Sequence, residues 1–185
     1  MRMMQWARAG FCAVLLLSGG AAFAEGSSPP PPQTENAYAT SDREFLASAL
    51  RVNQVELTLG RMAAERGSTP DVKAMGAKMV QKHTELGAQL TDQARRLGVS
   101  SAPELSADQR NTVDRLASLS GSAFDKSFKE TVDAGHVREL AMYRDEASHT
   151  VDPGLRDLAQ RRVATLAKTV AQTSQVPKAK PKNDW

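Results

Sequence analysis

The chain has 185 residues, of which 41% are hydrophobic, enough for one domain with a buried core. Its formal charge of +3 comes from 24 Lys and Arg against 21 Asp and Glu. Arg2 and Arg8 lie in an N-terminal leader and Lys178, Lys180 and Lys182 in a C-terminal tail, so the folded part has no basic stripe for phosphate, and nucleic acid is excluded as a partner. The single cysteine, Cys12, falls within the leader, which excludes a disulfide framework and cysteine catalysis.

The leader reads as a secretory signal peptide over residues 1–24. Arg2 and Arg8 precede the apolar run Phe11–Leu17, and Ala22-Phe23-Ala24 sets cleavage before Glu25. The apolar run is too short for a permanent membrane anchor, and Cys12 precedes the leucines instead of following them, which argues against lipidation. A periplasmic or otherwise exported protein with no transmembrane helix in its mature chain is the expectation. An envelope partner is compatible with that address, but no motif names one.

Residues 25–40 are rich in proline and serine, which predicts an extended linker. Ser41-Asp-Arg-Glu44 has the capping-box pattern, placing a helix start at Asp42. The inward stripe that follows is Phe45, Ala49, Val52, Glu56, Leu59 and Ala63, and the helix ends near Gly67. Thr69-Pro70 restarts the chain, and Val72, Met75, Met79, His83, Leu86, Leu90 and Leu97 form the stripe of a second long helix. So short a connection predicts an antiparallel hairpin.

Ser106-Ala-Asp-Gln109 is a second capping box, predicting a short helix that lies across one end. Phe124, Phe128, Val132, His136, Leu140, Tyr143 and Ala147 mark a third long helix. Asp152-Pro153 opens the last one, lined by Leu155, Ala159, Val163, Leu166 and Val170. Nothing alternates with period two over a useful length. The fold expected is all-α, an antiparallel up-and-down four-helix bundle over residues 41–176 with a short extra helix between the second and third long helices. Residues 177–185 form a disordered basic tail.

Three polar residues interrupt the apolar stripes: Glu56, His83 and His136. Counted along their helices they fall near one level, with Glu139 one turn from His136. A carboxylate and two imidazoles can hold zinc or iron with an open position. They can equally form a hydrogen-bonded network that satisfies itself and fixes helix register, and the sequence favours this second reading. It lacks the paired Glu-x-x-His turns and further glutamates of a di-iron bundle. His149 reads as a surface residue, and Met62, Met75, Met79 and Met142 as core filler.

Asp42-Arg-Glu-Phe45, Glu56-Leu-Thr-Leu-Gly60, Met79-Val-Gln-Lys-His83, Leu119–Asp125 and His136 together resemble the ferritin-like "domain of unknown function 4142" family of exported bacterial proteins, some of them labelled predicted outer membrane proteins. The likeness spans roughly residues 41–176 and implies a ferritin-like fold and a periplasmic setting. The family's characteristic histidines match His83 and His136. A third, usual on the last helix, is Thr169 here, which weakens a metal reading for this member. No catalytic residue is identified. The function expected is that of a non-enzymatic binding or envelope-stress protein with no cofactor, the alternative being a mononuclear zinc or iron site at Glu56, His83 and His136 with storage or enzymatic activity.

Overall fold

The computed structural model describes residues 32–99 and 104–174, with side chains described from residue 39 onward. The segments expected to be a signal peptide, the first part of a linker and a basic tail lie outside the described residues. Those described form five helices and no strand: α1 (Pro32–Arg66), α2 (Pro70–Arg96), α3 (Ala107–Ala117), α4 (Gly121–His149) and α5 (Pro153–Ser174). No helix among the described residues is long and apolar enough to cross a membrane.

The first helix starts earlier than its capping box predicts. It runs unbroken from Pro32 through Ser41, so Ser41 to Glu44 lie inside a helix and residues 32–40 are not an extended linker. Proline is tolerated in a helix's first turn, and nothing between Gln33 and Thr40 breaks a helix. A capping box marks a start only where the preceding chain is not already helical. The other starts follow their signals. Thr69 accepts from the Val72 N–H, Ser106 and Gln109 make both capping-box bonds, and Asp152 accepts from the Leu155 N–H at 2.7 Å.

The α1–α2 hairpin turns at Gly67, where the chain needs space more than a left-handed conformation. A Cβ there would lie 2.7 Å from the Ala63 carbonyl oxygen and 2.9 Å from Val72 Cγ1, whereas the left-handed glycines among the described residues are Gly98 (φ 74°) and Gly121 (φ 59°). Further along the hairpin the two backbones approach closely at Gly60 and Gly76. A Cβ on Gly76 would fall 2.6 Å from the Gly60 carbonyl oxygen and 2.8 Å from Ala63 Cβ.

Helix directions follow from which residues meet. Asp125, near the start of α4, accepts four hydrogen bonds from the backbone N–H and hydroxyl groups of Ser68 and Thr69, at the start of α2. These bonds, the Ser68 hydroxyl first, hold its carboxyl below the usual range. At the other end Arg43 of α1 donates to the Leu97 carbonyl after α2, and Phe45 meets Tyr143 edge-on, at 5.1 Å, late in α4. Thus α2 and α4 run the same way, each opposed to α1, and the segment between them travels back along the molecule. That corrects the up-and-down order expected from the sequence. It also moves α3, whose buried Leu116 packs with Leu59 and Ala63 of α1 and Phe124 of α4. The short helix lies along the α1–α4 side instead of across one end, held by Arg66 on the Ala117 and Leu119 carbonyls and by Arg115 on Ser127 and Thr131.

The core is divided. One apolar cluster gathers Phe45, Leu46, Leu90, Tyr143, Leu155 and Leu166 among others, and a second gathers Leu59, Ala63, Val72, Phe124, Phe128 and Val132. Between them lie Asn53, Glu56, His83, His136 and Glu139. Because Gly76 is met by backbone, which cannot give way as a flexible side chain can, Gly76→Ala is expected to destabilise by about 1–3 kcal/mol. Urea unfolding of both proteins measures this, and an unchanged midpoint would show that the hairpin is looser than described.

Candidate metal centre in the polar layer

Each polar side chain enters this layer from an otherwise apolar helix face. Glu56 of α1 is 4% exposed and His83 of α2 is 3% exposed. The His83 Nδ1 lies 3.0 Å from the Asn53 amide oxygen, an acceptor only, which puts the imidazole proton on Nδ1. The opposite nitrogen, Nε2, then presents a lone pair to Glu56 Oε2 at 3.5 Å, longer than a normal hydrogen bond. Burial drives His83 down to about 3 and Glu56 up to about 8, so at neutral pH the imidazole is neutral and the carboxyl holds a proton.

Glu139 of α4 is 3% exposed and is gripped from α5 by Arg162. The guanidinium donates from Nε and Nη2 to Oε1 at 3.0 and 2.8 Å and from Nη2 to Oε2 at 2.9 Å. Such a fork, largely withdrawn from water, fixes carboxylate orientation as well as charge. Burial raises the Glu139 carboxyl while Arg162 opposes the rise. His136, one turn earlier, is half-buried and is lowered to about 4, chiefly by burial.

The structure therefore brings together most, not all, of the residues singled out in the sequence. Ligand atoms of Glu56, His136 and Glu139 lie within 4.8 Å of one another, the only such metal-compatible group among the described residues. His83 stands beside it, committed to Asn53 and facing Glu56. His136 shares the level although α2 and α4 run the same way, because both histidines sit near the middle of their helices. Thr169 turns its hydroxyl to the Thr165 carbonyl, 3.1 Å away on its own helix. His149 is a surface residue, its side chain 65% exposed beside Asp145. Met79 is buried, while Met62, Met75 and Met142 are partly buried against the core.

Two atoms of the layer are unsatisfied. Glu56 Oε2 and His136 Nδ1 are buried and have no hydrogen-bond partner, a state that ordinarily costs about 1–3 kcal/mol for each group. A cation accepted by these atoms would remove that cost. With separations up to 4.8 Å, the centre of the three ligand atoms lies at most about 2.8 Å from each, so closing to the 2.0–2.2 Å of zinc bonds needs shifts below an ångström. The residues fit a divalent ion. Gly135 contributes by lacking a side chain, since a Cβ there would stand 3.2 Å from Glu56 Oε1.

The layer opens on one side into a cavity of about 460 Å³ between α1, α3 and α4, with Glu56 and Glu139 in its wall. A second buried acid cluster lies near the other end. There Thr150 donates to Asp42 Oδ2 at 3.0 Å, and Glu146, 4% exposed, is raised to about 8 by burial and by Asp42.

Comparison with known proteins now places the chain. A family model described as "Domain of unknown function (DUF4142)" matches residues 27–176. The chain belongs to the DUF4142 family. No curated protein matches it. Among solved structures, the DUF4142 chain resembles a DUF305 fragment from Deinococcus radiodurans (TM-score 0.63, 17% identity, 80% of this chain and 96% of that one). It also resembles CopM in its Cu(I)-bound form (TM-score 0.61, 17% identity, 72% and 93%) and in its Cu(II)-bound form (TM-score 0.59, 14% identity, 72% and 93%). At these identities the likeness is one of all-helical fold.

Buried groups set the pH profile of the metal-free DUF4142 protein. Glu56 and Glu146 are raised from 4.5 to about 8, so the folded state holds two protons that the unfolded chain releases, and stability falls as pH rises through that window. His83 and His136 are lowered from 6.5 to about 3 and about 4, so the unfolded chain binds protons that the fold excludes, and stability falls as pH drops below 6.5. The two trends oppose one another between pH 4.5 and 6.5. Thermal melts after chelation should show a plateau there, a decline from 6.5 to 8 that Glu146→Gln reduces, and a decline below 4.5. Stability still rising between 6.5 and 8 would contradict the assignment.

Proposed function

We propose that this DUF4142 protein is an exported, non-enzymatic helical-bundle protein that binds one divalent cation between Glu56, His136 and Glu139. Two observations carry the reading: Glu56, His136 and Glu139 each bring a ligand atom within 4.8 Å of the others, and Glu56 and His136 each keep a buried polar atom without a hydrogen-bond partner, Oε2 and Nδ1. A network serving helix register alone would satisfy its own polar groups. Part of the layer does so, in the Asn53–His83 and Glu139–Arg162 contacts. We assign His83 to that structural part. An imidazole with two carboxylates suits zinc, Fe(II) or Cu(II), whereas Cu(I) prefers sulfur donors. CopM, known in Cu(I)-bound and Cu(II)-bound forms, supports the idea that a helical scaffold of this kind can carry a metal.

We read the four long helices, with the return crossing between α2 and α4, as a four-helix bundle of ferritin-like connectivity, in which one long crossover is usual. Storage, buffering or sensing of a metal in the cell envelope, including under stress, would need only binding. If the leader reading holds, N-terminal sequencing of the exported protein begins at Glu25. An intact Met1 in that material would sink the signal-peptide assignment.

The cation itself is tested by thermal melts of untagged protein, chelated and then supplied with zinc or Fe(II). A ligand of the native state raises stability by mass action, about 2.7 kcal/mol at a hundred times its Kd. The rise is expected in wild type and in His83→Leu, and should vanish in His136→Ala and Glu56→Gln. No metal-dependent shift in wild type would return the layer to a purely structural role.

A further inference from the structure

The cavity beside the metal centre has its own composition, and its position relative to the three ligands restricts what could occupy it. Glu56 and Glu139 line it, while His136, on the same helix as Glu139, does not. An ion held by the three would thus have two of its ligands in the cavity wall and could be reached from the cavity. Three protein ligands leave at least one coordination position open. The walls above are Val52, Val55, Leu59 and Met142, and the rim is polar, including Thr112 of α3 and Arg138 of α4. A volume of about 460 Å³ lies within the range of small-molecule sites, roughly 300–1,000 Å³.

Charge narrows the class further. Glu56 and Glu139 bring two negative charges once a cation has displaced the proton, and Arg162 brings one positive. A divalent ion leaves this buried group at net +1, and the two charged side chains that line the cavity beside it, Arg138 and Asp108, are of opposite sign. One more negative charge, carried by a group able to reach the ion, would neutralise the buried set; a second would not be matched there.

We infer that the cavity binds a small hydrophobic monocarboxylate, its carboxylate on the cation held by Glu56, His136 and Glu139 and its apolar body against Val52, Val55, Leu59 and Met142. This rests on the cation reading above and adds a ligand class to it. The uncharged end fits against the aliphatic walls, and α3 supplies the polar outer side.

The test uses the untagged full chain loaded with Co(II), whose visible absorption reports ligands entering its coordination sphere, and benzoate as the probe. Benzoate should change the cobalt band saturably, with acetate, which lacks the apolar body, at least tenfold weaker. Val52→Trp fills the cavity from α1, and Thr112→Trp fills it from α3. Each should retain the cobalt band and weaken benzoate at least tenfold, and either serves if the other fails to fold. A cobalt-loaded protein indifferent to benzoate overturns the inference and leaves the cation reading standing. The inference also fails, with the cation reading intact, if acetate is equally effective, if both variants respond like wild type, or if chelated protein binds benzoate equally well. A chain that takes up no Co(II) overturns both.

Discussion

The middle of this helical core contains two neighbouring carboxyls, Glu56 and Glu139, and one guanidinium, Arg162, that can lie between them. Arg162 commits its fork to Glu139, and that pairing lets a charged carboxylate exist where only 3% of its residue surface remains exposed. Removing one partner of such a pair typically costs about 3–5 kcal/mol, because the other is left charged and buried. Glu56 has no comparable partner and responds by holding its proton. The unequal treatment of two similar side chains, set by which one α5 reaches, leaves one carboxyl tied into the structure and the other without a cationic partner.

Around that layer the helices divide their work. The cluster containing Phe45 and Tyr143 draws on α5 through Leu155, Leu158, Ala159 and Leu166. The cluster containing Phe124 and Phe128 draws instead on α3 through Leu116. The short helix therefore completes a half of the core that α5 does not supply, and it also forms the outer side of the cavity that reaches Glu56. Packing and access are properties of the same eleven-residue segment.

The helices themselves are legible in the sequence, because apolar residues at three-and-four spacing have nowhere else to point, and Glu56, His83 and His136 stand out by breaking those stripes. Arg162 is not legible. An arginine beside Arg161 on an amphipathic helix reads as solvent-facing, and only the tertiary placement of Glu139 turns it inward. Asn53 escapes notice for the same reason, its inward direction showing only beside His83. The start of α1 departs from the sequence expectation because a capping box is a local signal that does not exclude a helix arriving from upstream. The direction of α4 is beyond sequence periodicity altogether. A connection the length of residues 97–120 can turn back at once or run the length of the molecule, and what settles the matter is Asp125 meeting Ser68 and Thr69.

The return crossing has a topological consequence. The chain forms two hairpins, α1–α2 and α4–α5, and the segment carrying α3 is the only covalent link between them. Glu56 belongs to the first hairpin, while His136, Glu139 and Arg162 belong to the second. Opening the backbone between Arg96 and Ala107 would leave two complementary fragments, neither holding a whole set of donors, whose shared seam contains the polar layer between the two apolar clusters. In that sense the centre is an internal interface, and a cation bound there would be a fastener between two halves as much as a ligand of one fold.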